Sequence, residues 1–238
     1  MHFLDLTLPT LEENLALDEA LLLQAEDGAG GEVLRVWEWN TPAVVLGAGC
    51  RLAADVNEPA CRSDGVPVLR RASGGGTVVL GAGCLVYSLV LAYARSAALT
   101  NVGSSYVFIL DHMTNCLGGL APGIHRAGTS DLAVQNRKCS GNAQQRKRDH
   151  LVHHGTLLYR FELDRVGTYL HSPERQPHYR AGRQHAEFLM NLPLEGSELT
   201  YSLRQCWGAH TETQAWPEEL VKQLVADKYG QGHWVKRR

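Results

Sequence analysis

Hydrophobic and polar positions recur along this chain with two different periods, which predict both helices and strands. Apolar residues repeat at helical spacing over 11–23, and Thr10 with Glu13 matches a capping box at the start of that segment. A second helical period covers 106–117, and Pro217 opens a third predicted helix over 217–228. Glycines follow all three segments and predict where these helices end.

Shorter apolar or alternating segments predict strands at 33–39, 43–46, 66–70, 85–91, 132–134 and 155–161. Strands and helices do not alternate regularly, so the pattern favours an α+β fold over a doubly wound sheet. Residues 172–191 are rich in Pro, His and Arg and predict a long loop with a short helix. Because no repeat or low-complexity linker interrupts the chain, we expect one domain over 1–238.

Composition narrows the function classes. The 238 residues carry a net charge of -2, which argues against bulk electrostatic binding to nucleic acid. No apolar stretch is long enough to span a bilayer, and the N-terminus has no signal-peptide pattern. Six cysteines occur without a Cys-x-x-Cys pair. We therefore expect a cytoplasmic protein with reduced thiols, no metal site, and neither nucleic acid nor membrane as a partner.

The segment RRASGGGTVV at 70–79 is the first candidate for chemistry. Consecutive glycines let backbone N–H groups reach an anion directly, and an arginine can hold a phosphate through two parallel hydrogen bonds. The alternative is a glycine-rich hairpin with two surface arginines. The segment lacks the lysine of a P-loop, so we predict a different kind of anion site.

The segment NRKCSGNAQ at 136–144 is the second candidate. A lysine that points inward from a strand, here Lys138, can bridge a carboxylate and a phosphate. The alternative is a surface lysine. Cys139 would face the opposite side of the strand and belong to the core. Of the nearby His150, His153 and His154, we expect one to pack against the Lys138 strand rather than to bind a metal.

These two segments, with NLALDEAL at 14–21, HGTLL at 154–158, and YR at 179–180 with RQH at 183–185, resemble the lipoate–protein ligase A family of the biotin/lipoate ligase and octanoyltransferase superfamily. The resemblance implies an α+β catalytic domain related to biotin ligases and class II synthetases, with mixed sheets flanked by helices. It implies that lipoate, ATP and Mg²⁺ give lipoyl-adenylate, which then acylates a lysine of a lipoyl carrier domain. The implied carriers are the lipoyl domains of 2-oxoacid dehydrogenase complexes or a glycine cleavage H-type protein.

Carried onto this sequence, the resemblance implies Lys138 as the catalytic residue and an apolar tunnel for the acyl chain. The residues implied for the nucleotide or acyl-phosphate are Arg71, Ser73, Gly74, Gly75, Gly76, Thr77, Val78, Val79, Asp131 and Lys138. The residues implied for the acyl substrate are Arg70, Gly75, Lys138, Ser140, Gly141, His154 and Gly155.

The chain also departs from the family pattern. Ligases of the family usually have a His-Asp pair soon after the glycine loop, whereas residues 80–83 here read LGAG. Related octanoyltransferases use a cysteine that precedes the lysine strand, but 123–130 contains none, and Cys84 and Cys139 are the nearest candidates. Octanoyl transfer and non-catalytic lipoate binding therefore remain alternatives, and a separate accessory subunit is possible.

Overall fold

The computed structural model describes all 238 residues, which form two β-sheets with helices on both faces of the larger one. The strands are β1 (His2–Asp5), β2 (Val33–Glu38), β3 (Ala43–Leu46), β4 (Val68–Arg70), β5 (Val78–Leu80), β6 (Cys84–Ala92), β7 (His125–Ala127), β8 (Asp131–Val134), β9 (Arg137–Arg146), β10 (His150–Leu158) and β11 (Thr211–Glu212). The helices are α1 (Leu11–Glu26), α2 (Leu52–Asp55), α3 (Glu58–Ser63), α4 (Val102–Leu117), α5 (Asp164–Tyr169), α6 (His185–Phe188), α7 (Gly196–Trp207), α8 (Glu218–Leu224) and α9 (Gly232–Val235).

The larger sheet has the order β11-β1-β2-β6-β10-β9-β8-β7, and the smaller one the order β4-β3-β5. In the larger sheet only β1 pairs in parallel, with β2 and β11, and all other neighbours are antiparallel. The predicted α+β class with mixed sheets flanked by helices is confirmed.

Helix α1 begins where the capping box predicts. The Thr10 hydroxyl accepts a hydrogen bond from the Glu13 backbone N–H at 3.2 Å, and the Glu13 carboxylate accepts one from the Thr10 N–H at 3.0 Å. Helix α1 packs against β6, β10 and α8, and most of its residues are buried, including Asp18 and Glu19. Two carboxylates therefore enter the interior on this helix and need partners there.

The larger sheet separates two hydrophobic cores. Along β2, Val33 and Trp37 face the core shared with α1 and the smaller sheet, while Leu34 and Val36 face the core shared with α4 and α7. Because side chains alternate across a strand, β2 is buried on both faces, and the charged Arg35 is buried on the same face as Val33 and Trp37. The sheet thereby holds one face rigidly toward α1, where the cleft described below lies.

Element boundaries differ from the predictions mainly where tertiary contacts set them. Helix α4 begins at Val102, because the Asn101 side chain accepts hydrogen bonds from the N–H groups of Gly103 and Ser104. The third predicted helix ends at Leu224 and continues as a π-helical turn over Val225–Tyr229. Helix α7 was not predicted. No helix combines the length and apolar character that crossing a bilayer requires.

The prediction that all six cysteines are reduced is wrong for one pair. Cys116 at the end of α4 and Cys206 in α7 form a disulfide with their Cα atoms 5.4 Å apart. The remaining four are free thiols: Cys50, Cys61, Cys84 and Cys139. The pairing joins residues 90 positions apart, so it depends on the packing of two helices and has no sequence signature.

Candidate active site

A cleft lies between α1, the smaller sheet and the face of the larger sheet, and the free space in and around it, open solvent included, is about 650 Å³. One part of its lining is apolar and consists of Leu15, Trp37, Val45, Leu80 and Val86. The other part carries charge and hydrogen-bonding groups from β8, β9, β10 and the loop that precedes β5. The cleft can therefore hold a molecule with an apolar chain and a polar, anionic end.

The hairpin of β8 and β9 brings Lys138 into this cleft. Gln135 and Asn136 form its two-residue turn with φ of 50° and 59°, the positive values that a tight hairpin turn requires. Leu132 pairs with Ser140 and Ala133 with Lys138, so Cys139 is an extra residue in a bulge. Cys139 is fully buried in the opposite core, as predicted, whereas Lys138 lines the cleft.

Lys138 is anchored by a carboxylate. Its Nζ lies 2.8 Å from Asp131 Oδ1, and its side chain remains 26% exposed. The Tyr179 hydroxyl donates to the other oxygen of Asp131 at 2.8 Å. Burial and the Asp131 charge raise the pKa of Tyr179, so the phenol stays protonated and donates. An ammonium has three donors, and Asp131 occupies only one of them, which leaves two for a ligand.

Arg71 fixes the shape of the glycine loop from inside. Its guanidinium donates to the carbonyl oxygens of Gly74 at 2.5 Å and Gly76 at 2.9 Å, and its Nε donates to Ser73 Oγ at 2.9 Å. Burial lowers the pKa of Arg71 to about 10, so the group is still charged at neutral pH. The loop therefore places a fixed positive charge beside its exposed backbone.

Two glycines are required in these loops, Gly75 by its backbone conformation and Gly47 by close backbone approach. Gly75 has a φ of +79°, and a Cβ there would lie 3.0 Å from the Arg71 guanidinium. A Cβ on Gly47 would lie 2.1 Å from the Gly75 carbonyl oxygen. The loops around Gly47 and Gly75 are thus stacked in direct backbone contact, which no larger residue would permit.

A hydrogen-bonded chain of four side chains runs behind the cleft. Ser73 Oγ lies 2.5 Å from His154 Nε2, and His154 Nδ1 lies 3.0 Å from Asp18 Oδ2. Asp18 Oδ1 pairs with the buried Arg35 at 2.7 Å. Burial raises the pKa of Asp18, but Arg35 and His154 outweigh it and hold that pKa below the usual value.

These hydrogen-bonded side chains occur in the order of a Ser-His-Asp catalytic triad, but they do not serve as one. A nucleophilic serine needs access to its substrate, whereas Ser73 is 2% exposed and its oxygen already accepts a hydrogen bond from Arg71. The network instead connects the glycine loop to β10 and α1. Its effect is to fix His154 at the cleft wall with a defined orientation.

The side chain of Asn142 on β9 is also held in place by hydrogen bonds. It accepts from the Tyr87 hydroxyl at 2.5 Å and donates to the Ser130 carbonyl at 2.9 Å and to Ser140 Oγ at 3.1 Å. A Cβ on Gly155 would lie 1.8 Å from the Asn142 Oδ1, so Gly155 leaves the space that this amide occupies.

The structure brings together most of the residues that the sequence singles out. The cleft is lined by Arg71, Gly76, Thr77, Val78, Asp131, Lys138, Gly141, His154 and Gly155. The proposed binding residues that do not line it are Arg70, Ser73, Gly74, Gly75, Val79 and Ser140. Gly74, Gly75 and Ser73 still shape the loop, as described above.

Arg70 lies in a different environment from the one expected of a substrate contact. Its guanidinium is fully buried and donates to the carbonyl oxygens of Gly47 at 2.8 Å, Cys50 at 2.7 Å and Val235 at 2.7 Å. Every one of these acceptors is backbone, so Arg70 joins α9 to the loop after β3 instead of facing the cleft.

Sequence reasoning missed Asp18, Asn142 and Tyr179 as site residues. Asp18 had a detectable signal, because a carboxylate interrupts the apolar positions of a helix that is otherwise Leu- and Ala-rich. Asn142 and Tyr179 lie in segments that carry the family resemblance, but the sequence does not indicate their roles, because these depend on contacts with residues from other strands and loops.

Comparison with known proteins identifies relatives. Residues 10–197 match the family described as the lipoyl protein ligase A/B catalytic domain. The octanoyltransferase LipM of Carboxydothermus hydrogenoformans is 29% identical over 94% of this chain and 94% of its own length. A probable lipoate-protein ligase A of Mycoplasma pneumoniae is 29% identical over 66% of this chain, but only 45% of that relative is matched.

Two solved structures share the fold. A bi-partite lipoate protein ligase of Thermoplasma acidophilum, studied with its E2 lipoyl domain, superimposes with a TM-score of 0.83 at 19% identity, covering 99% of this chain and 95% of that one. A lipoate-protein ligase A bound with ATP gives 0.82 at 20% identity, covering 99% of this chain and 98% of that one.

Proposed function

The chain belongs to the lipoyl protein ligase A/B catalytic domain family, and we propose that it acts as a lipoate–protein ligase. In the proposed reaction the carboxylate of lipoate attacks the α-phosphate of ATP, which gives lipoyl-adenylate and pyrophosphate. The ε-amine of a carrier lysine then attacks the acyl carbonyl carbon and releases AMP. The observation that carries the proposal is Lys138, whose ammonium stands in a cleft that no cysteine lines.

In this proposal the two ends of the cleft bind different parts of the substrates. The apolar wall formed by Leu15, Trp37 and Val86 accommodates the acyl chain, and the two free donors of Lys138 reach the acyl carbonyl and the α-phosphate. Negative charge builds up on these oxygens as the mixed anhydride forms and breaks. A preorganised ammonium at that position lowers the barrier by electrostatic stabilisation.

The residues of the cleft do not fit a protein-held Mg²⁺. Asp18 and Asp131 are the carboxylates in the lining, and the oxygens of both already face cationic or hydroxyl donors. Oxygen ligands free of such partners are what Mg²⁺ prefers. Magnesium therefore enters the proposal only as the companion of the ATP phosphates, and no step is assigned to a metal held by this chain.

The free cysteines support ligation over cysteine-based transfer. Cys84 and Cys139, the candidates nearest in sequence, are buried in the two cores, and burial raises the pKa of Cys139 to about 12. Burial also raises the pKa of the Cys84 thiol. A transferase needs an accessible thiolate in the acyl pocket, which neither residue supplies.

Octanoyl transfer remains the second candidate, because a LipM octanoyltransferase matches nearly the full chain. Cys50 is the thiol that such a mechanism would use. It is half-buried, and its Sγ lies 3.4 Å from the carbonyl oxygen of Gly75 in the glycine loop. Burial raises the pKa of Cys50, which weighs against this candidate.

Lipoyl carrier domains are the proposed acceptors, from 2-oxoacid dehydrogenase complexes or a glycine cleavage H-type protein. Support comes from the Thermoplasma relative, a bi-partite ligase studied together with an E2 lipoyl domain. The same relative supports testing a second subunit as an aid to transfer.

The test is lipoate-dependent exchange of labelled pyrophosphate into ATP. Exchange with the wild-type chain supports adenylate formation. Octanoyl transfer from an acylated carrier protein without exchange, and its loss in Cys50→Ser, would establish the second candidate instead. Lipoate binding with neither activity, in the presence of a carrier domain and a candidate second subunit, would identify a non-catalytic homologue.

A further inference from the structure

Away from the cleft, one imidazole and two cysteine side chains lie close together between α4 and α7. His112 and Cys116 lie one turn apart on α4, and Cys206 comes from the last turn of α7. The two cysteine sulfurs and an imidazole nitrogen of His112 all lie within 4.8 Å of one another, and all three residues are half-buried. All three residues therefore keep some exposure to solvent, unlike the buried Cys61, Cys84 and Cys139.

The imidazole of His112 is held beside one of the two sulfurs. Its Nε2 lies 3.6 Å from Cys206 Sγ and 3.1 Å from the Cys206 carbonyl oxygen. The ring also packs edge-on against the buried Trp207, with a centroid distance of 4.3 Å. The carbonyl and Trp207 contacts do not involve the disulfide, so they can hold the ring in place after reduction.

We propose that Cys116 and Cys206 are a reversible modification site, a dithiol that small-molecule disulfides of the glutathione type oxidise. Cys206 is the attacking thiol, because the Nε2–H group of His112 lies beside its sulfur and can stabilise the thiolate. No corresponding histidine contacts Cys50, the other half-buried thiol. This proposal does not depend on which acyl-transfer reaction the cleft performs.

The exchange takes two steps. The Cys206 thiolate attacks one sulfur of the reagent, the reagent's S–S bond breaks, and a mixed disulfide and one thiolate result. The Cys116 thiolate then attacks Cys206 Sγ, forms the Cys116–Cys206 bond and expels the second reagent thiolate. Two electrons pass from the protein to the reagent, and the protons of the two cysteines end on the two released thiols.

The disulfide closes a loop of the polypeptide that contains strands of the cleft. Cys116 and Cys206 are separated by 90 positions, and Asp131, Lys138 and His154 all lie between them. Closing a long loop restricts the unfolded chain more than the folded one. Oxidation is therefore expected to raise the Tm by several degrees.

The test incubates the reduced full-length protein in glutathione buffers of increasing oxidised fraction, alkylates free thiols and maps peptides by mass spectrometry. We expect the Cys116–Cys206 peptide to form while the other four cysteines are still alkylated. We expect His112→Phe to slow its formation about tenfold, since thiolate fraction sets the rate. His233→Phe, an exposed histidine on α9, is the matched control.

Single-cysteine variants test the direction of attack. Cys116→Ser should retain glutathione on Cys206, whereas Cys206→Ser should leave Cys116 largely unmodified. Equal labelling of both would overturn the assigned role of His112 and Cys206. A pair that stays reduced where Cys50 is oxidised, or reduced protein that retains one equivalent of Zn²⁺ on this cluster, would overturn the proposal as a whole.

Discussion

At the scale of single residues, Lys138 bears most directly on the proposed chemistry. Lys138→Ala removes the ammonium that Asp131 holds at 2.8 Å. We expect adenylate formation to fall by about 10²–10³-fold, the usual loss when one electrostatic stabiliser is deleted. Pyrophosphate exchange measures the loss, and Lys222→Ala on the exposed face of α8 is the control. Near-normal exchange in the Lys138 variant would remove this residue from the mechanism.

Gly141 allows a test that moves the ammonium without deleting it. A Cβ at Gly141 would lie 2.8 Å from Lys138 Nζ, and its backbone φ is not in the left-handed region, so Gly141→Ala should fold and displace the lysine. A displacement on the order of 1 Å in a reacting group costs about 10²-fold in rate. We expect a loss of that size in exchange.

The control is Gly49→Ala, where a Cβ meets nothing within 4 Å. Its exchange rate and Tm should match those of the wild type. If Gly141→Ala retains full exchange, the position of Nζ is less constrained than the contact with Asp131 indicates.

At the scale of elements, the C-terminal helix α9 and the loop after β3 are held together by Arg70. Arg70→Gln removes charge-assisted hydrogen bonds to Gly47, Cys50 and Val235. We expect the free energy of unfolding, measured by urea denaturation, to fall by about 3 kcal/mol, since hydrogen bonds from a buried charge are among the strong ones. The KM values for the proposed substrates, lipoate and ATP, should change by less than about threefold, because Arg70 does not line the cleft.

Arg62→Gln serves as the control, since its ion pair with Glu58 is largely exposed and contributes little. A large rise in KM for Arg70→Gln with unchanged stability would instead favour the sequence-based hypothesis that Arg70 contacts substrate.

Local signals predicted the elements that local interactions define. The capping box at Thr10 and Glu13, the β3 strand and the end of α4 follow from hydrogen-bonding and periodic patterns that the sequence displays. Helix α7 was missed because it is short and its N-cap is Glu195, which is not one of the Ser, Thr, Asn or Asp residues that usually mark a helix start, although Glu195 and Glu198 form a capping box in the structure. Adjacent arginines also look equivalent in sequence, yet Arg70 and Arg71 point to different partners because successive side chains alternate.

At the scale of the whole molecule, strand pairing and helix packing bring together side chains from distant segments, and no single segment of the sequence indicates these contacts. The contact between Asp131 and Lys138 needed the bulge at Cys139, and the contact of His154 with Asp18 joins β10 to α1. The sequence could nominate the lysine and the glycine loop but not the network that orients them. That one unit spans 1–238 stays a prediction.

Stability of the whole molecule should depend on pH through His153. The ring is fully buried, 3.3 Å from the Tyr87 hydroxyl, and burial with the neighbouring His154 lowers the pKa of His153 to about 3. In the unfolded chain a histidine has a pKa of about 6.5, so between these values the unfolded state binds the additional proton. The free energy of unfolding should therefore decrease as pH falls below about 6.5, by up to about 1.4 kcal/mol per pH unit.

Urea denaturation of wild type and His153→Gln between about pH 4.5 and 7.5 isolates this contribution. The glutamine keeps hydrogen-bonding capacity but does not titrate, so its variant should show a flatter dependence even where it is less stable overall. Asp18, whose pKa is held low, contributes only in more acid solution, because its unfolded-state pKa lies near 4. The exposed His125→Gln should keep the wild-type slope. If His153→Gln keeps that slope as well, the titration arises elsewhere and the His153 ring becomes protonated in the folded protein without loss of stability.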